Sequence, residues 1–273
     1  DVAPSRGLGD VYKRQVYDKQ NNVVDKFQTN ENGIGSSKKL PLGIYTVKEV
    51  QAPANYGLNP TVFTADIEFA GQVVKLNVTD PVITAGVSIK KTGYAQTMNN
   101  NIMRWTVSGV RNDSTTSLQS FYWRDTLPTD AVRLTRLVTG TYSTTQTYKV
   151  TFTTNLNSQW RTAYDNLSTA KNYTLDMSSA ALGLASNEYV TQFMLSFGIV
   201  PAGFHQLTNA TVDAQTLYAL TNGYKFTNKA DVGGLLGGNW VQSIARWTTS
   251  IYSHYVPAKP AAPKSPTLPR TGY

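Results

Sequence analysis

Three segments predicted to be β-strands each place one reactive side chain among apolar neighbours. Successive residues of a strand point to opposite faces. Lys91, Asp125 and Asn228 therefore each fall on the face of their strand that otherwise carries apolar residues, whereas Lys90 falls on the outer face. The alternation thus predicts an amine, a carboxyl group and a carboxamide within one core.

These three groups could form a covalent bond in a dry core. Burial disfavours charge, so it would lower the pKa of Lys91 toward the neutral amine and raise the pKa of Asp125 toward the neutral acid. The amine could then attack the side-chain carbonyl of Asn228, while the acid polarises that carbonyl and relays protons until ammonia leaves. The product would be a Lys–Asn isopeptide bond that forms once and replaces a disulfide as a covalent tie.

A structural arrangement of the same residues is the alternative. In it, Lys91 extends its methylene stem so that the ammonium reaches water. Asp125 caps the turn before Pro128, and Asn228 bonds a loop. The alternation by itself favours this second interpretation.

The composition excludes several kinds of site. The 273 residues contain no Cys, which excludes disulfides, thiolate metal sites and thiol nucleophiles. His205 and His254 are the only histidines, so no multi-histidine metal centre can form, and we expect no metal or other cofactor. The net charge of +8 is scattered and forms no nucleic-acid motif; it indicates a solvated exterior or attraction to an acidic wall polymer.

The pattern of short apolar runs, with many Thr, Val and Tyr residues, predicts strands almost throughout. A short helix or turn is expected only at 178–185. The predicted fold is all-β, with two sandwiches in tandem over residues 16–82 and 83–255. The tail at 256–273 begins with a Pro-rich tract and is expected to stay disordered. No apolar run is long enough to span a membrane.

The first unit carries the motif TNENG, followed by LPLGIYTVKEVQAPANYGL. This order resembles the collagen-adhesin B-type module of Gram-positive pilins and adhesins, a prealbumin-like or immunoglobulin-like sandwich. The resemblance assigns the catalytic carboxyl role to Glu49. Alternation over a last strand predicted at 73–78 makes Asp80 the acceptor candidate and turns Asn77 outward.

The amine donor of this first module is expected to be absent. The Lys-bearing first strand of the family would precede Val16, where residues 1–15 resemble translated sequencing adaptor and are excluded from the fold. We therefore expect no isopeptide bond in the first module and an open sheet edge where that strand belongs.

The second unit contains GVSIKKTG, MRWTVSGVRNDS, FYWRDTLP and YKFTNKADVGG in this order. The series resembles the isopeptide-forming domain of fimbrial subunits. That resemblance favours the covalent interpretation, with Lys91 and Asn228 joined and Asp125 as the acid. Residues 155–220 exceed the family minimum, and no chemistry is assigned to them.

The C-terminal pentapeptide LPRTG resembles the LPxTG sorting signal of Gram-positive surface proteins. Its residues are Leu268, Pro269, Arg270, Thr271 and Gly272. The resemblance implies that sortase cuts between Thr and Gly and joins the Thr carbonyl to an amine of peptidoglycan or of another pilin. Because no signal peptide or hydrophobic anchor accompanies the signal, the chain is interpreted as a C-terminal fragment.

Three classes of function compete. The first is a secreted, wall-anchored stalk or adhesin that contacts host matrix or glycan ligands through domains upstream of this fragment. The second is a pilus subunit that sortase polymerises, although no convincing acceptor lysine is found and Lys259 and Lys264 remain open. The third, a surface glycosidase, is disfavoured because Asp125 and Glu49 lie in different predicted domains.

Overall fold

The computed structural model describes residues 13–52, 56–94, 96–97 and 102–252. These residues form eighteen β-strands and no helix, which confirms the all-β class. Residues 178–185, expected as a short helix or turn, form turns. Within the described ranges, no helix is long and apolar enough to cross a bilayer.

The described residues of the first unit form one antiparallel sheet. Its strands are β1 (Lys13–Tyr17), β2 (Val23–Gln28), β3 (Gly43–Gln51) and β4 (Phe63–Ile67). They lie in the order β2-β1-β3-β4. Val16, Tyr45 and Val47 form its small core, and Leu76 packs on them from outside the sheet.

Strand β1 corrects the expected start of this unit. Lys13, Arg14 and Gln15 pair with both β2 and β3, so their exclusion from the fold is wrong. Val16 is buried and holds this strand at the centre of the sheet. Residues 1–12, and with them the question of a missing first strand, lie outside the described residues.

The strand predicted at 73–78 is also corrected. A turn follows β4, as expected. The side chain of Gln72, however, forms hydrogen bonds with backbone groups at the end of β4 and just after it, in the place of a partner strand. Its Oε1 accepts from the amides of Glu68 (2.7 Å) and Phe69 (3.3 Å), and its Nε2 donates to the carbonyl of Asp66 (3.0 Å). Residues 73–78 therefore run on without regular strand pairing.

The second unit contains two large sheets and a short two-stranded one. Its strands are β5 (Val87–Gly93), β6 (Gln96–Thr97), β7 (Met103–Asn112), β8 (Leu118–Thr126), β9 (Val132–Val138), β10 (Thr141–Tyr142), β11 (Thr147–Thr154), β12 (Arg161–Ser168), β13 (Thr174–Asp176), β14 (Val190–Val200), β15 (Gln206–Thr208), β16 (Ala210–Thr216), β17 (Lys225–Leu236) and β18 (Asn239–Ile251). The seven-stranded sheet has the order β12-β11-β14-β8-β17-β18-β6, and the five-stranded sheet has the order β13-β9-β16-β7-β5. Strands β10 and β15 form the third sheet.

Both large sheets contribute side chains to one hydrophobic core. Trp105 from β7 and Trp123 from β8 are almost fully buried there. Trp105 meets Phe226 edge-to-face with ring centroids 6.3 Å apart, and Trp123 meets Phe193 in the same way at 5.5 Å. Each such buried side chain contributes roughly 1.5–3 kcal/mol. A core of this size can hold a few polar groups away from water.

Candidate functional site

Lys91 lies on β5, an edge strand of the five-stranded sheet, and points into the core. Its side chain has no accessible surface, whereas Lys90 is exposed, as the strand alternation predicts. Its Nζ lies 5.8 Å from the centroid of the Trp105 ring. Burial lowers the pKa of Lys91, because an ammonium group loses its hydration at this position.

Asp125 lies on β8 in the interior of the seven-stranded sheet and is completely buried. Lys91 Nζ donates a hydrogen bond to Asp125 Oδ2, while Oδ1 has no hydrogen-bond partner. Burial raises the pKa of Asp125, and the nearby amine opposes this effect less strongly. Since burial is the largest influence on both groups, this core favours the neutral amine and the neutral acid.

Asn228 lies on β17, the strand next to β8. Ala230 pairs with Asp125 across the ladder, and Asn228 is two residues away on the same face. Its side chain is completely buried, and neither Nδ2 nor Oδ1 makes a hydrogen bond of normal geometry. The amide is nevertheless near enough to Asp125 to act on the pKa of that carboxyl group.

An amide without hydrogen bonds is costly inside a protein. Each unsatisfied buried polar group costs about 1–3 kcal/mol, and Asn228 carries two. A structural asparagine would be expected to bond a loop, which this one does not. The fold therefore places this carboxamide next to Asp125, the buried acid that Lys91 contacts. An amine, an acid and an amide are the groups that amide exchange requires.

The contact between Lys91 and Asp125 crosses from one sheet of the sandwich to the other. Lys91 belongs to the five-stranded sheet, whereas Asp125 and Asn228 belong to neighbouring strands of the seven-stranded sheet. A bond between Lys91 and Asn228 would cross the core and tie β5 to β17. The sequence predicted which way the three side chains point, but their approach depends on the packing of the two sheets.

Glu49 and Asp80 form a second buried carboxyl site, in the first unit. Glu49 lies on β3 and is 7% exposed; Asp80 is 8% exposed. Glu49 Oε2 accepts a hydrogen bond from the Asn59 amide at 2.7 Å, while Glu49 Oε1 and Asp80 Oδ1 have no partner. Burial raises the pKa of Glu49, the Asn59 amide opposes it, and the nearby Asp80 carboxyl group adds to the rise.

Arg14 is a member of this second site that the sequence did not reveal. It faces Glu49 across the β1–β3 ladder, and its charge favours the Glu49 carboxylate. The adaptor-like sequence around it concealed its place in the fold. The sequence did hold one signal for this position. Arg14 is two residues from the apolar Val16, so strand alternation would place both side chains on the same, inner face of β1.

The other residues that the sequence singles out lie in the C-terminal tail. The sorting pentapeptide at 268–272 lies outside the described residues, as do Lys259 and Lys264. Within the described ranges, no group of three or more His, Asp or Glu side chains could hold a metal ion.

The first unit has a counterpart among known families. Residues 11–82 match the family model of SpaA, a prealbumin-like fold domain. This SpaA-like module begins before Val16, which agrees with the strand pairing of β1.

Known proteins extend the comparison. A 60-residue stretch is 35% identical to part of the trypsin-resistant surface T6 protein of Streptococcus pyogenes. The stretch makes up 22% of this chain and 11% of that protein. The major pilin subunit BcpA of Bacillus cereus is 12% identical with a TM-score of 0.30, over 89% of this chain and 64% of that one. The collagen-binding domain of a Staphylococcus aureus adhesin is 12% identical with a TM-score of 0.27, over 59% of this chain and 99% of that one.

Proposed function

We propose that this chain is part of a pilin or adhesin stalk on the surface of a Gram-positive bacterium, stabilised by an isopeptide bond between Lys91 and Asn228. The supporting observation is the buried contact between Lys91 and Asp125 beside the unbonded amide of Asn228. The SpaA-like module and the stretch shared with a streptococcal surface protein support the same class of protein.

The proposed reaction exchanges one amide nitrogen for another. Neutral Lys91 Nζ attacks the side-chain carbonyl carbon of Asn228, and a carbon–nitrogen bond forms. Asp125 takes a proton from the attacking nitrogen and gives one to the departing Nδ2, which leaves as ammonia. Asp125 ends in its initial protonation state, so the reaction needs no other reactant and occurs once per chain.

Intact mass provides the test. The folded protein should weigh one ammonia less than its sequence, and a tryptic digest should contain a branched peptide that joins Lys91 to Asn228. Lys90→Ala is the matched control, since Lys90 is the exposed neighbour on the same strand, and this variant should retain the bond. A full mass for the wild type, or a link through Lys90, would refute the proposal.

Attachment by sortase is the second part of the proposal. The LPRTG string at 268–272 follows a Pro-rich tract, and such a tract keeps a peptide extended and accessible to an enzyme. In a wall-anchored stalk, the Thr271 carbonyl would be joined to peptidoglycan. In the alternative, a pilus subunit, it would be joined to a lysine of the next subunit, and sortase would then produce a ladder of covalent multimers.

The first module would carry an acceptor without a bond. Glu49 and Asp80 would occupy the carboxyl and acceptor roles. The Lys-bearing strand of the family is expected before Val16, and Lys13, the one described lysine there, is exposed. We therefore expect no crosslinked peptide that contains Asp80. An enzymatic role is not proposed, because Asp125 is closed to solvent and belongs to a different core from Glu49.

A further inference from the structure

An open cleft of about 720 Å³ lies on the outer face of the seven-stranded sheet. Strands β8, β11, β14 and β18 contribute to it, and Trp160 and Asp165 line it near the sheet edge at β12. Lys91, Asp125 and Asn228 are not among its lining residues. A function of the cleft would therefore be independent of the proposed crosslink.

Two exposed tryptophans line the cleft. Trp240 is 55% exposed and Trp160 is 40% exposed. Trp240 meets the ring of Tyr122 edge-to-face, with centroids 5.9 Å apart. Tyr122 is itself buried, so it gives Trp240 a fixed support. Large apolar side chains that a fold supports but leaves uncovered are typical of binding sites.

A hydrogen-bonded network fixes the polar groups beside Trp240. Asp231 is buried and accepts two bonds from the Arg124 guanidinium, at 3.1 and 3.0 Å, and one from the Tyr122 hydroxyl at 3.1 Å. Gln242 Nε2 in turn donates to the Tyr122 hydroxyl at 2.7 Å. Arg124 and Gln242 line the cleft, so their remaining hydrogen-bonding capacity is presented in a fixed geometry.

The backbone is irregular around this cleft. The pairing of β14 with β8 is interrupted at Gly198, and that of β17 with β8 between Gly233 and Leu235. Ser120, which lines the cleft, has a φ of 51°, a value that non-glycine residues rarely adopt. Bulges and strained residues are enriched at functional sites.

The charges of the lining favour an uncharged ligand. Asp231 neutralises Arg124, and the other charged residues of the lining are Lys149 and Asp165, one of each sign. A saccharide fits this combination, because its ring has an apolar C–H face that packs on indole and a rim of hydroxyl groups that bond amide, guanidinium and carboxylate groups. A Pro-rich peptide would use the aromatic surface but not this set of polar groups.

We propose that this cleft binds a neutral oligosaccharide, with Trp240 and Trp160 as stacking platforms and Arg124 and Gln242 as hydroxyl-binding groups. The site lies on this chain itself, so the ligand would not require domains upstream of it. The proposal also stands if no isopeptide bond forms, since the cleft is built from other residues.

Titration of the whole chain with neutral oligosaccharides of glucose, galactose, mannose and N-acetylglucosamine tests the proposal, with tryptophan fluorescence and NMR shifts as readouts. At least one series should bind with a Kd below about 1 mM, and Trp240→Ala should weaken it about tenfold or more. Gln242→Ala should also weaken it. Tyr218→Ala is the matched control, because Tyr218 is 57% exposed and lies outside the cleft. This variant should bind the saccharide with unchanged affinity.

Two results would overturn the proposal. One is the absence of any shift with all four series at about 10 mM, where a Kd near 1 mM gives almost full occupancy. The other is binding of a Pro-rich peptide, such as residues 256–267 of this chain, that Trp240→Ala abolishes while no saccharide competes. That result would make the cleft a peptide groove.

Discussion

Lys91 donates a hydrogen bond to Asp125 between the two sheets of the second sandwich, although neither side chain has any accessible surface. A charged pair at this depth would lose the hydration of both groups. Burial instead moves the pKa of Lys91 down and that of Asp125 up, which favours the uncharged forms. In this contact, burial thus shifts Lys91 toward the unprotonated amine that the proposed attack requires.

Asp125→Ala should leave the Lys91–Asn228 bond unformed, because the amine and the amide would remain together without a proton relay. Intact mass should then equal the sequence mass. Asp213→Asn is a suitable control, since Asp213 is also a buried acid but bonds Arg104 and Arg136 in the five-stranded sheet. Loss of the crosslink in both variants would show that general destabilisation, and not proton transfer, is responsible.

Lys91→Ala should fold but unfold much faster on heating. In the chain-entropy view, a crosslink that closes a loop of more than a hundred residues stabilises by roughly 4–5 kcal/mol. The variant also leaves Asp125 and Asn228 buried without their partner. Unfolding rates from temperature jumps would measure the effect, with Lys90→Ala expected to match the wild type.

In limited proteolysis, the SpaA-like module should be cut earlier in time than the second unit. The core of the module is small, and its residues 73–78 lack regular strand pairing, whereas the second unit has a large core and the proposed crosslink. Mass spectrometry of the early fragments would identify the first cuts. Early loss of the second unit, with residues 16–82 intact, would contradict both the crosslink and the weakness of the first module.

The SpaA-like module should lose stability as the pH rises from acid toward neutral. Burial raises the folded-state pKa of Glu49 above its ordinary value of 4.5. The folded state therefore binds the proton more tightly, and this stabilisation is complete below pH 4.5 and lost as the pH rises through the folded-state pKa. Hydrogen exchange of the β3 amides at several pH values should show this loss of stability. The Glu49→Gln variant should show a weaker dependence on pH. If its dependence on pH equals that of the wild type, another group is responsible.

Sortase with an amine nucleophile should release Gly272-Tyr273 and leave a Thr271 adduct. Thr271→Ala should abolish the reaction, because the enzyme acts at the carbonyl of that residue in the signal that this pentapeptide resembles. Thr267→Ala, one residue before the pentapeptide, is the matched control and should react normally. Unchanged intact mass of the wild type after prolonged incubation with an active class A sortase would argue strongly against a functional signal.

The sequence by itself determined the class of fold and the direction of the key side chains. Alternation with period two is a local property of an extended chain, so it assigned Lys91 to the core and Lys90 to solvent without knowledge of any partner strand. The same local rule made Asp80 an inward residue even where residues 73–78 form no regular strand.

Only the tertiary structure decided which of these side chains meet. The contact of Lys91 with Asp125 joins residues 34 positions apart in different sheets, and the pairing of Arg14 with Glu49 depends on a strand that an adaptor-like sequence had obscured. The cleft beside Trp240 likewise combines residues of β8, β11, β14 and β18. Such contacts follow from sheet order and from the packing of one sheet on another, which a local periodicity does not encode.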